Sequence, residues 1–272
     1  TARQLMVFSA LGAKPPAFAH HSLIMGPDGA KLSKRHGATA VGDFKEMGYL
    51  SGAIINYLAL LSWAPAGERE KLTLKEMEQE FELSRVSRSP AIFDIQKLNW
   101  LNGLYIRDLD LAQLRAALEP FAGEAPAGVS DGQMAVAAAA VQTSLVTLAD
   151  AGRELGDFFS CVPLTEAKEA AELADPEALA VLEKALAVVE KLPGGAEIDP
   201  AGVDETLENA RDWLAGIKGE CKSDGIPAKR LFRTLRLALT GRTSGPELFF
   251  LLAGLGRETV RERLEVARRP VQ

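Results

Sequence analysis

The sequence predicts a mainly α protein, an elongated multi-domain run of helices with one small β-hairpin near the N-terminus. Three observations carry this. Apolar residues recur at three- and four-residue spacing through most of the chain, as in helices that pack by one face. Helix starts are written in residue type, at Thr73-Leu74-Lys75-Glu76 and at Asp175-Pro176. Strand-like signal is confined to one place, where Leu23-Ile24-Met25 enters Pro27-Asp28-Gly29 and returns through Ala30-Lys31-Leu32. Pro presets φ and Gly accepts a positive one, so these residue types suit a tight hairpin turn.

Arg3 to Leu11 have helical spacing and stop at Gly12, with Pro15-Pro16 barring continuation. Beyond the hairpin, Thr39 is placed to cap a short helix ending near Gly48. Leu50 to Trp63 forms a strongly apolar helix, halted by Pro65 and Gly67. Thr73 and Glu76 have capping-box spacing, so hydroxyl and carboxylate each satisfy a backbone N–H at a helix start. Ser87-Arg88-Ser89-Pro90 is a turn, and Asp94 begins a helix through Trp100 to about Tyr105. Trp63, Phe93 and Trp100 fall on apolar helical faces, which favours core packing over stacking platforms for bases.

From Leu109 onward only helices are expected. Leu111 to Phe121 is followed by a loop and a long Ala-rich helix over Gln133 to Ala149, then by Leu155 to Phe159. Asp175 as N-cap and Pro176 at the first helical position open a helix to Lys191, which Pro193-Gly194-Gly195 ends. Val203 to Ile217 follows, with Trp213 on its apolar face.

The 272 residues, 47% hydrophobic, suffice for one large core or two to three small ones. A formal net charge of -6 gives no global nucleic-acid signature, although only a contacting face needs to be positive. Cys161 and Cys221 lack metal-ligand spacing and read as unpaired thiols in a reducing cytosol. There is no bilayer-length apolar run and no signal peptide, so a cytoplasmic location is expected. His20-His21 has no third ligand, and no metal site is expected. No Ser/His/Asp or Cys/His set is evident.

Two stretches carry charge in a pattern. Lys31, Ser33, Lys34 and Arg35 crowd between Gly29 and Gly37. Cations this close repel one another and are best tolerated beside an anion, and small flexible flanks suit a loop that closes over phosphates. Taken alone, a basic pentapeptide reads more simply as a solvated turn. Further on, Lys229, Arg230, Arg233 and Arg236 recur along one side of a helix, with Leu231, Phe232, Leu235 and Leu239 on the other. Ser244 and Glu247 then repeat the capping-box spacing, which puts Thr240 to Pro246 at a helix N-terminus, where free N–H groups attract acceptors.

Lys31-Leu32-Ser33-Lys34-Arg35 resembles the Lys-Met-Ser-Lys-Ser loop of class I aminoacyl-tRNA synthetases. The longer string from Gly26 to Thr39 is similar to the glutamyl-tRNA synthetase version. Asn56 to Trp63, Ser87 to Ala91, Lys97 to Gly103 and Leu239 to Pro246 extend the resemblance over nearly the whole chain, in the family's order. The resemblance implies residues 1–16 as the last helix of a nucleotide-binding domain and 17–108 as a stem-contact domain bearing the basic loop. Residues 109–164 and 165–272 would be two helical anticodon-binding subdomains. It implies Lys31, Ser33 and Lys34 as catalytic, with Leu32 and Arg35 also against ATP. Arg233, Arg236, Arg242, Thr243, Gly245 and Pro246 would meet the anticodon of tRNA(Glu). ATP, L-glutamate and Mg2+ are implied, the metal being held mainly by a domain this chain lacks, and a monomer is expected.

One departure concerns specificity. The family usually carries basic residues near Gln142–Val146 that help inspect the third anticodon base, and this chain has Gln142-Thr143-Ser144-Leu145-Val146. Charging of tRNA(Gln) beside tRNA(Glu) is therefore left open. The Gly-rich ATP turn, a His-Ile-Gly-His signature and the glutamate-holding residues are absent, so the chain alone is expected not to aminoacylate tRNA. The competing reading is a stand-alone tRNA-binding module derived from the family without catalysis.

Overall fold

The computed structural model describes residues 1–37, 40–67, 69–164, 166 and 169–269, and for Lys34 the backbone alone. It is mainly α, as expected, with a two-stranded sheet near the N-terminus. The chain divides into two compact units, Thr1–Lys45 with Tyr49–Asn102, and Glu46–Gly48 with Gly103–Gln272.

In the first unit, α1 (Ala2–Ala10) buries no residue, and Met6 and Leu11 are exposed. β1 (Ile24–Met25) leads into the expected turn. The antiparallel return is a single bridge from Met25 to Lys31, with the Gly26 N–H donating to the Ala30 carbonyl at 2.7 Å and Leu32 N–H to Ile24 at 3.1 Å. Gly29 takes φ 72° at the tip, a conformation that suits glycine.

α2 (Val41–Glu46) occupies the place expected for a short helix, while its expected cap, Thr39, lies outside the described residues. α3 (Ser51–Ser62) and α4 (Leu74–Glu80) pack through Trp63, Leu72 and Met77. The Thr73–Glu76 capping box forms in both directions, at 2.7 and 3.2 Å.

The sheet has a partner that periodicity did not reveal: β2 (Ala91–Ile92) pairs in parallel with β1, Ile24 opposite Ala91. α5 (Ile95–Arg107) follows. Trp63 is buried and Phe93 packs edge-on against Tyr57, as expected of core aromatics. Trp100 is a correction: it is 46% exposed, because α5 turns its opposite side, through Leu98 and Leu101, to the interior.

In the second unit, α6 (Leu111–Leu118) and α7 (Asp131–Val141) both start on capping boxes, Asp110 with Gln113 and Ser130 with Gln133. The single helix expected over 133–149 breaks after Val141. The Gln142 amide turns back to the Ile106 and Leu109 carbonyls, at 2.9 and 2.8 Å. Asp150 then receives the Thr147 N–H and starts a new 3-10 turn that leads into α8 (Ala151–Phe159).

α9 (Pro176–Ala187) starts as read, on Asp175, and gives way to a 3-10 turn over Val189–Lys191. α10 (Val203–Ser223) buries Trp213, whose indole N–H reaches the Val188 carbonyl at 2.9 Å. α11 (Ala228–Thr240) and α12 (Leu248–Arg268) complete the unit, and α12 packs against α7, α9, α10 and α11. The Ala-rich composition of α7 serves this centre, since small side chains let helices approach closely.

α12 kinks at Gly256 (φ 76°), where a Cβ would stand 2.7 Å from Gly195. The Gln133 amide donates to the Gly254 and Leu255 carbonyls that the kink frees, at 2.9 and 3.0 Å.

Candidate functional site

The residues singled out by sequence fall in two places, one in each unit. In the first unit the basic loop follows the hairpin turn directly. Lys31 bridges to Met25 and keeps its side chain exposed; Leu32 and Ser33 are half-buried; Lys34 to His36 form one 3-10 turn. The Lys34 side chain lies outside what the structure describes.

Arg35 is not a free cation. It donates to Asp28 Oδ2 at 2.8 Å, and Asp28 Oδ1 accepts the Ala30 N–H at 2.9 Å. The Ala30 N–H, then the His36 ring, then Arg35 hold the Asp28 carboxyl below the usual carboxylate range. Sequence reading placed Asp28 and His36 in this stretch but gave neither a role as a partner of the basic loop. The signal was present in a weak form: Asp-Gly in a tight turn leaves a carboxylate pointing back along the chain.

In the second unit α11 presents its row of cations, and two of them, Arg230 and Arg233, meet carboxylates within the unit. Arg233 donates from Nε and Nη2 to Glu172, both at 2.6 Å, a two-point fork that draws the Glu172 carboxyl down and pushes the Arg233 guanidinium up. Arg230 reaches Asp175 at 2.7 Å.

Arg236 differs, because its Nη1 donates to the Pro246 carbonyl at 2.6 Å. Burial lowers its pKa, with Glu247 acting the other way. An added Cβ on Gly245 would meet Arg236 Nη1 at 3.4 Å, so the guanidinium lies along the Gly245-Pro246 backbone. Arg236, Gly245 and Pro246 are thus in one place.

The loop between α11 and α12 is anchored from behind. Gly241 takes φ 66° and leaves no room for a Cβ, which would stand 2.2 Å from the Val162 carbonyl. Arg242 turns to Asp157 at 3.2 Å and to Ser160 at 3.1 Å. Thr243 is exposed. The expected Ser244–Glu247 capping box does not form: the N-cap of α12 is Glu247 itself, without a side-chain cap, so the loop reaches the helix N-terminus by a different residue. Trp213 and Arg263 are structural here; burial lowers the Arg263 pKa while its guanidinium holds the Leu239 and Phe159 carbonyls at 2.6 Å.

Among the described residues, no group of three or more His, Cys, Asp or Glu could hold a metal ion. None of the described helices is long and apolar enough to cross a membrane.

Residues 1–100 match the family described as class I tRNA synthetases (E and Q), catalytic domain, and residues 113–268 match an anticodon binding domain. A glutamate–tRNA ligase of Carboxydothermus hydrogenoformans is 36% identical over 270 residues, covering 97% of this chain and 54% of the relative. One from Rubrobacter xylanophilus is 39% identical over 277 residues, covering 98% of this chain and 59% of the relative. The fold is similar to a solved glutamate tRNA ligase of Elizabethkingia meningosepticum, with a TM-score of 0.76 at 24% identity over 100% of this chain and 55% of that one. The chain therefore spans about half the length of the curated relatives it matches.

Proposed function

Because the chain belongs to the glutamyl-tRNA synthetases, a family of class I tRNA synthetases, we propose that it serves a glutamate–tRNA ligase by supplying the ATP-closing loop and the tRNA stem and anticodon contacts. In this reaction the glutamate carboxylate attacks the α-phosphate of ATP and expels pyrophosphate, and the adenylate passes its glutamyl group to the terminal adenosine of tRNA. Negative charge grows on the phosphoryl oxygens and the leaving pyrophosphate. Cations fixed in advance where that charge develops lower the barrier.

Lys34 is assigned the principal contact, Lys31 assists, and Leu32, Ser33 and Arg35 line the same loop. Arg35 must first give up Asp28 to take part. The described carboxylates and imidazoles do not group as a magnesium site. We assign it as a cytoplasmic monomer, with 1–16 the last helix of the nucleotide-binding domain, 17–108 the stem-contact domain bearing the basic loop, and 109–164 and 165–272 the two anticodon-binding subdomains.

The observation that carries this reading is the meeting of Arg236 with Gly245 and Pro246 at the entry to α12. A half-buried guanidinium fixed against the Gly245-Pro246 turn puts hydrogen-bond donors beside that turn, the kind of group by which single-stranded bases are read. The test is titration of the chain with tRNA(Glu) transcript and with a transcript of altered anticodon. The intact chain is expected to prefer the first, and Arg236→Ala to weaken that binding about tenfold while erasing the preference. Equal affinity for both transcripts, untouched by the substitution, would overturn the anticodon assignment. For the loop, Lys34→Ala in the full-length ligase is expected to raise the barrier to adenylate formation by about 2–4 kcal/mol in ATP–pyrophosphate exchange. Comparable losses in adenylate formation and tRNA affinity would count against the loop assignment.

A further inference from the structure

The basic loop is tied to the hairpin by a side chain that the proposed reaction does not use. His36 lies over Gly26, where an added Cβ would stand 2.8 Å from the imidazole. Its Nδ1 is 3.1 Å from the Ser33 backbone nitrogen and 3.3 Å from the Ser33 hydroxyl. Its Nε2 is 3.1 Å from Asp28 Oδ1, and the side chain is only 10% exposed. A backbone N–H can only donate, so Nδ1 must be the bare nitrogen and Nε2 must carry the proton that Asp28 accepts. Arg35 Nε, 3.3 Å from Nε2, then finds no lone pair there, and its guanidinium is held by Asp28 Oδ2 instead. A chain of contacts thus runs from the turn at Ala30 through Asp28 and His36 to Ser33, the residue between Leu32 and Lys34.

We propose that His36 is a positioning residue, a neutral imidazole protonated on Nε2 that latches Ser33 to the hairpin and fixes the starting conformation of the basic loop. The latch opens when Nδ1 takes a proton, since two donors then face one another across the Ser33 contact. This deepens the reading of the loop as the ATP-closing element and rests on it. The charged groups that the described contacts bring to the ring are Asp28 from the hairpin and Arg35 from its own segment. Asp28 keeps its bond to Nε2 in either state, so opening is one-sided: the ring stays on the hairpin and Ser33 leaves.

The test follows amide exchange at Ser33 by NMR in the 15N-labelled chain without nucleotide, expressed as protection relative to an unstructured peptide at the same pH. Protection is expected at about pH 8, and a proton on Nδ1 at about pH 5 would leave the Ser33 N–H no acceptor and lower protection about tenfold or more. His36→Asn can place its amide oxygen where Nδ1 stood, so it is expected to keep Ser33 protected at both pH values. His36→Ala, and Gly26→Ala through displacement of the ring, are expected to lose protection at both. Unchanged protection in α3 certifies that each variant folds. Protection of Ser33 that ignores pH in the wild type, or that is equal in the Asn and Ala variants, would overturn the latch. Titration with ATP then separates the two readings. Shifts of the Lys31 to Arg35 amides that persist in His36→Asn and fade in His36→Ala support both. Latch behaviour with no ATP-induced shift upholds the latch and removes the nucleotide role of the loop.

Discussion

Arg233 gives two nitrogens to Glu172, and that pairing bears directly on how α11 would meet RNA. A guanidinium engaged at both ends of its fork has to exchange one anion for another when a phosphate arrives, so much of the attraction is offset by the lost pair. Arg230 with Asp175 and Arg242 with Asp157 are in the same position. Glu172→Gln removes the competing charge and keeps the shape. If Arg233 faces the tRNA backbone, the variant is expected to bind tRNA more tightly, and its salt dependence should steepen by about 0.7–0.9 in log–log slope, one more phosphate contact. Fluorescence anisotropy across a salt series measures both quantities. An unchanged slope would place Arg233 outside the interface and leave its role as an internal tie between α11 and the segment before α9.

At the scale of elements, what was legible in sequence was what is local. Thr73 with Glu76 and Asp175 with Pro176 announce their helices because every partner lies within three residues. The basic loop and the α11 face were legible for the same reason. Contacts between distant residues were not. The pairing of Ile24 with Ala91 has no periodicity to betray it in strands of two residues. The break after Val141 depends on Gln142 finding the Ile106 and Leu109 carbonyls, and a Thr147–Asp150 cap inside an Ala-rich run was easily read through. The partners of the site residues, Asp28, His36, Glu172 and Asp157, needed the fold before they could be named.

α12 is held at its kink by a side chain from α7. Its kink frees two carbonyls, which the buried Gln133 amide satisfies. Gln133→Leu fills the space and leaves both unpaired, at a cost of about 1–3 kcal/mol for each group that water cannot reach. Gly256→Ala combines a strained positive φ with a clash against Gly195 and is expected to destabilise at least as much. Urea unfolding followed by circular dichroism gives both values. Neutral behaviour of Gln133→Leu would show that the kink straightens when its partner is removed.

Among the described residues, five carboxylates are perturbed in the same direction. Asp28 and Glu76 in the first unit and Glu172, Asp175 and Glu258 in the second have pKa values held below their ordinary ones. The causes differ. Glu76 is held down by the Thr73 N–H and hydroxyl, Glu172 by Arg233, and Glu258 by its own N–H and that of Gly195. At Asp175 burial acts upward and is outweighed by the Glu177 N–H and Arg230. A carboxylate whose folded pKa is depressed binds protons more readily in the unfolded chain, so its contribution is complete above the unfolded value and is lost as pH falls through the folded one. Lys184 runs the other way: Asp224 raises its pKa, so its contribution is complete below the ordinary lysine value and fades only in alkali. Stability is therefore expected to hold from neutrality down to the ordinary carboxylate values of 4.5 and 3.8 and to decline below them, in both units. Thermal unfolding at fixed ionic strength checks this, and Glu172→Gln should lessen the acid decline because one titrating pair is gone. A midpoint that began to fall well above the carboxylate range would overturn the assignment to these paired carboxylates.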